Sequence, residues 1–166
     1  MIWSQLLSGD NPVRKRIAFA LSEFFVASLS GINVTWRGPA IGEYWDTLNR
    51  HAFGNYRELL QDITLNPAMG VFLNTRGNRA ADPRTGRVPD ENYAREVMQL
   101  FTIGLFELNP DGTNRLANGN PVETYASEDV TGLARVFTGY DFDQAGLTFT
   151  PEVGGCLLYT SDAADE

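Results

Sequence analysis

The sequence predicts an all-α protein, a multi-helix domain fragment with one small β-hairpin near residues 113–124. Apolar residues recur at helical spacing along most of the chain, and proline and glycine mark the ends of these stretches. Only one segment has the turn residues and flanking pattern of a hairpin, which is too little strand for an α/β sheet. We therefore expect helices to form the core.

The first clear helix start is Asp10-Asn11-Pro12. A side-chain oxygen that can cap free N–H groups, followed by a proline in the first turn, is typical of a helix N-terminus. Gly31 suits the end of this helix. Its apolar face is predicted to comprise Val13, Ile17, Leu21, Phe24 and Phe25.

Three shorter helices are predicted next, near Pro39, after Gly54-Asn55 and from Asn66-Pro67. The last of these repeats the combination of a capping residue and a proline. Residues 74–90 have no apolar period and contain two glycines, two prolines and four arginines. This composition predicts a long loop.

Residues 91–108 form the strongest predicted helix, with Asp90 as its cap. Because apolar residues lie on nearly every side after Val97, we expect a buried central helix. A turn at 109–112 and a hairpin around Asn118-Gly119 follow. A last helix is expected from Ser127 to Gly139, with acidic residues in its first turn, where the helix dipole favours them.

The composition is that of a soluble globular protein, with 43% hydrophobic and 20% charged residues. No run of about 18 apolar residues is present, so no transmembrane segment is expected. The net charge of −8 argues against a nucleic-acid partner, which would require a basic surface. Lys15 is the single lysine beside twelve arginines, a bias that indicates a GC-rich genome.

Residues 156–166, CLLYTSDAADE, match the codon-by-codon translation of a transposon-based sequencing adapter. We interpret them as an artefact of metagenomic sequencing and expect them to pack against nothing. This interpretation sets aside Cys156, the only cysteine. It also leaves 18 acidic and 13 basic residues, a net charge of −5, because three of the 21 acidic residues lie in the segment.

Three motifs resemble a bacterial family known as domain of unknown function 1800: residues 54–69, 90–112 and 128–140. The resemblance implies a mainly helical protein of several hundred residues. It also implies export to the periplasm or the cell exterior, and a sulfatase-like exported protein encoded nearby as a candidate partner. Residues 1–155 would then be an internal fragment of one larger helical domain, whose first partner is the remainder of its own chain.

The polar start of the predicted central helix carries the first candidate site. Asn92, Glu96 and Gln99 lie on one face, and Arg95 lies on a neighbouring stripe with Glu91. A carboxylate that enters a buried helix needs partners, and it can act as a general base. Glu96, Asn92 and Arg95 are therefore catalytic candidates. The alternative is a structural network in which Glu96 is buried and paired with Arg135 or a loop arginine.

No metal site or cofactor is expected. Many relatives resembling this chain have Glu-x-x-Glu-x-His where it has Glu96, Gln99 and Phe101, and two of these three residues bind metal poorly or not at all. His51, the only histidine, has no histidine or cysteine companion. We interpret it as a surface or packing residue.

The second candidate site is the loop at 74–90. Its guanidinium groups suit sulfate, phosphate or carboxylate ligands, because a planar fork of N–H donors matches these anions. The alternative is a solvated loop in which arginines pair with Asp82 and Asp90. The anion-binding candidates are Arg76, Arg79, Arg84 and Arg87.

Two classes of function stay open, and whether the protein is an enzyme is undecided. The first is a non-catalytic structural or assembly role in an exported bacterial protein, in which the polar residues hold helices together. The second is an exported enzyme or enzyme partner acting on an anionic substrate, such as a sulfated or carboxylated polymer. The first is favoured, because the sequence contains neither a Gly-x-Ser-x-Gly elbow nor a glycine-rich phosphate loop.

Overall fold

The computed structural model of the chain describes residues 2–143 and the backbone of the strand Leu157–Tyr159. The described residues are mainly α-helical, as the sequence predicts. They fall into two units, residues 2–76 with 141–143 and residues 77–140.

Five helices make up most of the first unit. The second packs against the third, and the third packs against the fourth and fifth. These helices are α1 (Ile2–Ser8), α2 (Pro12–Phe24), α3 (Arg37–Arg50), α4 (Tyr56–Thr64) and α5 (Pro67–Phe72).

The start and end of α2 differ from the prediction. Pro12 occupies the first turn, but Asn11 adopts a left-handed conformation with φ of 56° and its side chain makes no capping hydrogen bond to the described helix. The helix ends at Phe24, well before Gly31. Phe25 leaves the helical conformation and is fully buried, whereas Val13 is exposed. The predicted face is therefore wrong at Val13 and at Phe24, which is 42% exposed.

Asparagine caps begin α4 and α5, as the sequence predicts. The Asn55 side chain accepts a hydrogen bond from the Arg57 N–H, and the Asn66 side chain accepts one from the Ala68 N–H, both at 2.9 Å. Asn66 is buried and Asn55 is exposed. The Asn66 amide also donates to Glu43 Oε2 at 2.5 Å, so this cap links α5 to α3.

Aromatic residues in the core of the first unit have their polar atoms hydrogen-bonded. The Tyr44 hydroxyl donates to the carbonyl of Phe25 at 2.5 Å, and the Trp45 indole N–H donates to Gln5 Oε1 at 2.8 Å. Burial of these rings therefore leaves neither polar group unsatisfied. Other buried core residues of this unit are Ala18, Ile32, Leu48, Leu59, Ile63, Ala68 and Met69.

The second unit is built on two helices that pack together, α6 (Asn92–Glu96) and α7 (Ser127–Val136). The Tyr93 ring meets the Phe137 ring edge-on, with ring centroids 4.8 Å apart. Fully buried small residues let the two helices approach closely. The cluster between them comprises Ala94, Val130 and Ala134, with Met98, Tyr125, Leu133 and Phe137 packed around it.

The predicted central helix is correct at its start and wrong at its end. After α6 the backbone widens into a π-helix, Val97–Thr102, and the Ile103 N–H donates to the Met98 carbonyl at 3.1 Å. Gly104, with φ of 74°, ends the helical path. Each π-turn contains one residue more than an α-turn, so later side chains rotate off the buried face. Leu100, Ile103 and Leu105 are consequently 49%, 53% and 46% exposed, which contradicts a fully buried helix.

The predicted hairpin is confirmed. Strands β1 (Leu116–Ala117) and β2 (Asn120–Pro121) pair antiparallel across Asn118 and Gly119. These two turn residues have φ of 52° and 82°, the paired left-handed conformation that favours Asn-Gly in two-residue hairpins. Residues 105–108, which were expected to be helical, instead extend alongside this segment. Isolated antiparallel bridges there join Phe106 to Glu123 and Leu108 to Asn114.

Helix α7 begins at Ser127, as predicted. The Asp129 carboxylate turns back to accept a hydrogen bond from the Ala126 N–H at 2.8 Å. Glu128 also lies in the first turn, where its charge complements the helix dipole. The helix ends at Val136, and Gly139 follows with φ of 83°.

Strand β3 (Tyr140–Phe142) pairs with β4 (Leu157–Tyr159). The expectation that residues 156–166 pack against nothing is therefore wrong for the backbone of β4, and the remainder of that segment lies outside the described residues. Across residues 2–143, none of the helices combines the length and the apolar character that crossing a bilayer requires.

Candidate functional site

The start of α6 is fixed by a buried asparagine in the preceding loop. Asn78 Oδ1 accepts a hydrogen bond from the Asp90 N–H at 2.8 Å, and Asn78 Nδ2 donates to the Phe137 carbonyl at 3.0 Å. The Asp90 carboxylate then accepts from the Asn92 N–H at 2.8 Å, which confirms its predicted capping role. The Asn78 side chain thus joins the loop to the start of α6 and to the end of α7.

Arg95 belongs to a chain of polar contacts between α6 and α7. Its Nη2 lies 2.8 Å from Glu91 Oε2, one turn earlier. The other oxygen of that carboxylate accepts a hydrogen bond from the Thr131 hydroxyl of α7, also at 2.8 Å. Glu91 thus restrains the Arg95 guanidinium, although the Arg95 side chain remains 48% exposed.

The guanidinium of Arg95 borders a cleft of about 200 Å³. Its walls are formed by the end of α6 and the π-helix, by residues 105–106, by residues 123–126 and by the start of α7. The lining residues are Arg95, Gln99, Leu105, Phe106, Glu123, Tyr125, Ala126, Ser127 and Val130.

Gln99, which lies in the π-helix, is one of the polar residues that line this cleft. Single π-turns within helices occur frequently at functional sites, since they project side chains out of the regular helical register. The backbone on the opposite wall is also fixed. The Glu107 N–H donates to the Val122 carbonyl at 2.9 Å, and the Thr124 N–H donates to the Leu105 carbonyl at 3.1 Å.

Glu96 and Asn92, the other two catalytic candidates, are absent from the residues that line this cleft. Glu96 is half-buried, and among residues 2–143 it makes no ion pair. The expected pair with Arg135 is therefore wrong, and Arg135 itself is exposed on α7. The expected burial fails because the helix turns its apolar residues inward at Tyr93 and Ala94 instead.

Three of the four candidate loop arginines contact groups within their own unit. Arg76 Nε lies 3.2 Å from Asp141 Oδ1, and its guanidinium stacks over the Phe142 ring at 4.0 Å. Arg87 Nε donates to the Ala80 carbonyl at 2.9 Å. These contacts order the loop at 74–90.

Arg84 and Arg79 have the more accessible guanidinium groups. Arg84 Nε lies 3.4 Å from Asp82 Oδ1, but the Arg84 side chain is 84% exposed. Arg79 is exposed and has no ion-pair partner among residues 2–143. The predicted pairing of loop arginines with acidic residues thus holds for Asp82, and Arg79 is left as the most available anion-binding candidate.

Asp82 organises the turn of this loop. Its carboxylate accepts a hydrogen bond from the Arg84 N–H at 2.9 Å, and this bond holds the pKa of the Asp82 carboxyl below its ordinary value. The Arg84 and Thr85 side chains add to the same effect. An ionised Asp82 therefore stabilises the loop conformation.

His51 contacts an acidic residue rather than a metal-ligand cluster. Its Nε2 lies 2.6 Å from Asp62 Oδ2, which links the end of α3 to α4. The described residues contain no group of three or more His, Cys, Asp or Glu side chains placed to hold a metal ion.

Sequence reasoning missed the far wall of the cleft. Glu123, Tyr125 and Ser127 are separated from Arg95 by about thirty positions, as the printed sequence shows. No local spacing connects them to α6, because the extended segment and the hairpin bring them together. The sequence indicates only that Ser127 begins a helix and that Tyr125 is an aromatic residue just before it.

The fold and the cleft define a mainly helical protein with a small cleft lined by polar and apolar side chains. The chain belongs to the family described as "Protein of unknown function (DUF1800)", which matches residues 1–162. This match confirms the resemblance that the three sequence motifs indicate. No curated protein and no solved structure matches the chain.

Proposed function

We propose that this chain has a non-catalytic structural or assembly role in an exported bacterial protein. The observation that carries the proposal is the contact chain from Arg95 through Glu91 to Thr131, in which polar residues of α6 are used to hold α7. Buried or half-buried polar groups that are satisfied by their own fold are typical of structural networks.

The loop contacts support the same role. Arg76 and Arg87 each have an intramolecular acceptor, so their guanidinium groups stabilise the fold rather than a ligand. Exposed apolar side chains are also common on proteins that assemble with other surfaces. In the second unit they include Leu100, Ile103, Leu105, Leu108, Leu116 and Val136.

Thermal unfolding of Glu91→Ala beside Arg135→Ala tests the structural role. Glu91→Ala removes both contacts of the chain, whereas Arg135 is exposed on the same pair of helices and serves as the matched control. We expect Glu91→Ala to lower the Tm by about 2–4 °C, the shift for a loss of about 1 kcal/mol in a chain of about this size. An unchanged Tm in Glu91→Ala would contradict the proposal.

The second candidate is an exported enzyme or enzyme partner that acts on an anionic polymer. The exposure of Arg79 and Arg84 favours it. Dextran sulfate and polygalacturonate serve as the sulfated and the carboxylated probe. Saturable binding that is lost in Arg79→Gln with Arg84→Gln, or turnover that is lost in Glu96→Gln, would replace the structural proposal. Neither is expected.

A further inference from the structure

Two opposite charges share the small cleft beside the π-helix without pairing with each other. Arg95 and Glu123 both line it, yet the ion pair of Arg95 is with Glu91. Glu123 is exposed and has no ion-pair partner among residues 2–143. The Glu123 carboxylate therefore remains available to a cationic group, whereas Arg95 can offer only the N–H donors that Glu91 does not use.

Arg95 still has N–H groups to offer. A guanidinium carries five N–H donors, and the bond to Glu91 is made through Nη2. Since Thr131 holds Glu91 from the other side, the ion pair with Glu91 restrains the Arg95 side chain before any ligand arrives. Ordering a flexible side chain in advance lowers the entropy cost of binding.

Glu123 is fixed through its backbone. It forms an antiparallel bridge with Phe106, and the hydrogen bonds on both sides of this bridge are intact. Gln99, Tyr125 and Ser127 add neutral donors and acceptors around the same space. The backbone that carries Glu123 is thus fixed beside the cleft.

The size and the apolar lining limit the ligand further. A volume of about 200 Å³ lies below the range of about 300–1,000 Å³ for drug-sized sites, so the ligand must be small. Leu105 and Phe106 supply an apolar surface beside the charges. A dianion would be repelled by Glu123, and a simple cation would leave the free N–H donors of Arg95 without an acceptor.

We propose that this cleft binds a free α-amino acid with an apolar side chain. Arg95 donates hydrogen bonds to the carboxylate of the ligand, and Glu123 pairs with its ammonium group. The side chain of the ligand packs against the apolar wall. This inference goes beyond the structural role and does not depend on it, because the cleft can bind a ligand whether or not Glu91 contributes stability.

Calorimetric titration of the full 166-residue chain with L-leucine tests the proposal. L-leucinamide lacks the carboxylate charge and N-acetyl-L-leucine lacks the ammonium charge. We expect saturable binding of L-leucine and binding at least about tenfold weaker for each derivative, since one charge-assisted contact is lost in each. L-leucyl-L-leucine, in which the two charges lie farther apart, distinguishes a free amino acid from a short peptide, and tighter binding of this dipeptide would overturn the proposal.

Two variants assign the charges. Arg95→Gln should remove the preference for L-leucine over L-leucinamide, and Glu123→Gln should remove the preference for L-leucine over N-acetyl-L-leucine. Arg135→Gln and Glu128→Gln, both exposed on α7 and outside the cleft lining, are the matched controls and should bind as the parent does.

Circular dichroism confirms that each variant is folded. Should Arg95→Gln unfold, Glu123→Gln alone carries the test, because Glu123 is exposed. The proposal is overturned by the absence of saturable binding up to about 10 mM L-leucine, a concentration well above the weak-affinity scale of about 1 mM. Equal binding of all three ligands, or unchanged affinity in Glu123→Gln, would overturn it as well.

Discussion

Asn78 and Asp90 are joined by two hydrogen bonds across the ends of the arginine-bearing loop. The Asp90 N–H donates to Asn78 Oδ1 at 2.8 Å, and Asn78 Nδ2 donates to the Asp90 carbonyl at 3.4 Å. Asn78 Nδ2 also reaches the Phe137 carbonyl, and the Asn78 carbonyl accepts from the Gly139 N–H at 2.8 Å. One buried residue therefore satisfies backbone groups from two segments of the second unit, the start of α6 and the residues after α7.

Substitution of Asn78 should be costly. Asn78→Ala leaves buried backbone groups without partners, so we expect the free energy of unfolding to fall by about 1–3 kcal/mol. Asn78→Asp should be worse, because a carboxylate in place of the amide would face the Phe137 carbonyl. Urea unfolding followed by circular dichroism measures both. Asn92→Ala, at an exposed position, is the control, and equal stabilities of Asn78→Ala and Asn92→Ala would refute this role.

The two asparagine caps of α4 and α5 allow a matched comparison. Asn55→Ala removes a cap only, which typically costs about 1 kcal/mol. Asn66→Ala removes a cap and the hydrogen bond to Glu43, so it should cost about 1–3 kcal/mol more. Unfolding of Asn66→Ala with and without Glu43→Gln checks the origin of the difference, since the two effects must then be non-additive.

Stability should depend on Asp82 under acidic conditions. The folded state lowers the pKa of this carboxyl, so the unfolded state binds the proton more tightly. The contribution of Asp82 is therefore fully present above the unfolded pKa of about 3.9 and is lost as the pH falls toward the lower folded value. We expect the Tm of Asp82→Asn to decline less steeply than the parent Tm below about pH 4.

A pH series of thermal melts between about pH 2.5 and 6 covers this window. Asp46→Asn, an exposed position on α3, is the control and should follow the parent curve. Parallel curves for Asp82→Asn and the parent would show that the turn at Asp82 adds no pH dependence.

Glu96 should contribute little to stability. The pair expected from the sequence would have made Glu96→Ala cost about 3–5 kcal/mol, the usual penalty for a buried ion left alone. Since Glu96 is half-buried and makes no ion pair within residues 2–143, we expect a loss below about 1 kcal/mol. Thermal melts of Glu96→Ala and Glu96→Gln decide the point, and a large loss in both would restore the structural pair.

Local signals were sufficient for the helix starts at Asp90 and Asn66 and for the turn at Asn118-Gly119. Each depends on a backbone geometry set within a few residues, so the amino-acid types alone predict it. The end of the helix after Val97 was not predictable in this way. Helical spacing continues through residues 103–108 in the sequence, and the pairing of that segment with residues 114–123 overrides it.

The candidate site was predictable only in its first wall. Arg95 and Gln99 lie on a helix, where spacing reports a shared face. Helical spacing cannot identify an ion-pair partner on another element, such as Arg135 for Glu96, because tertiary packing decides which charges meet. The carboxylate that Arg95 does contact, Glu91, is an ordinary neighbour one turn away, and its link to Thr131 spans forty positions.

The π-helix at Val97–Thr102 also makes the chain sensitive to its own length at that point. A π-turn contains one residue more than the corresponding α-turn, so it is equivalent to a one-residue insertion in an α-helix. Removing one residue there would restore α-helical winding and turn the side chains on one side of the deletion by about 100° relative to those on the other. Residues that follow the π-helix, such as Ile103, would then face a different side relative to Arg95 on α6. A one-residue deletion would thus change which side chains this surface presents, while the composition of the helix would stay almost the same.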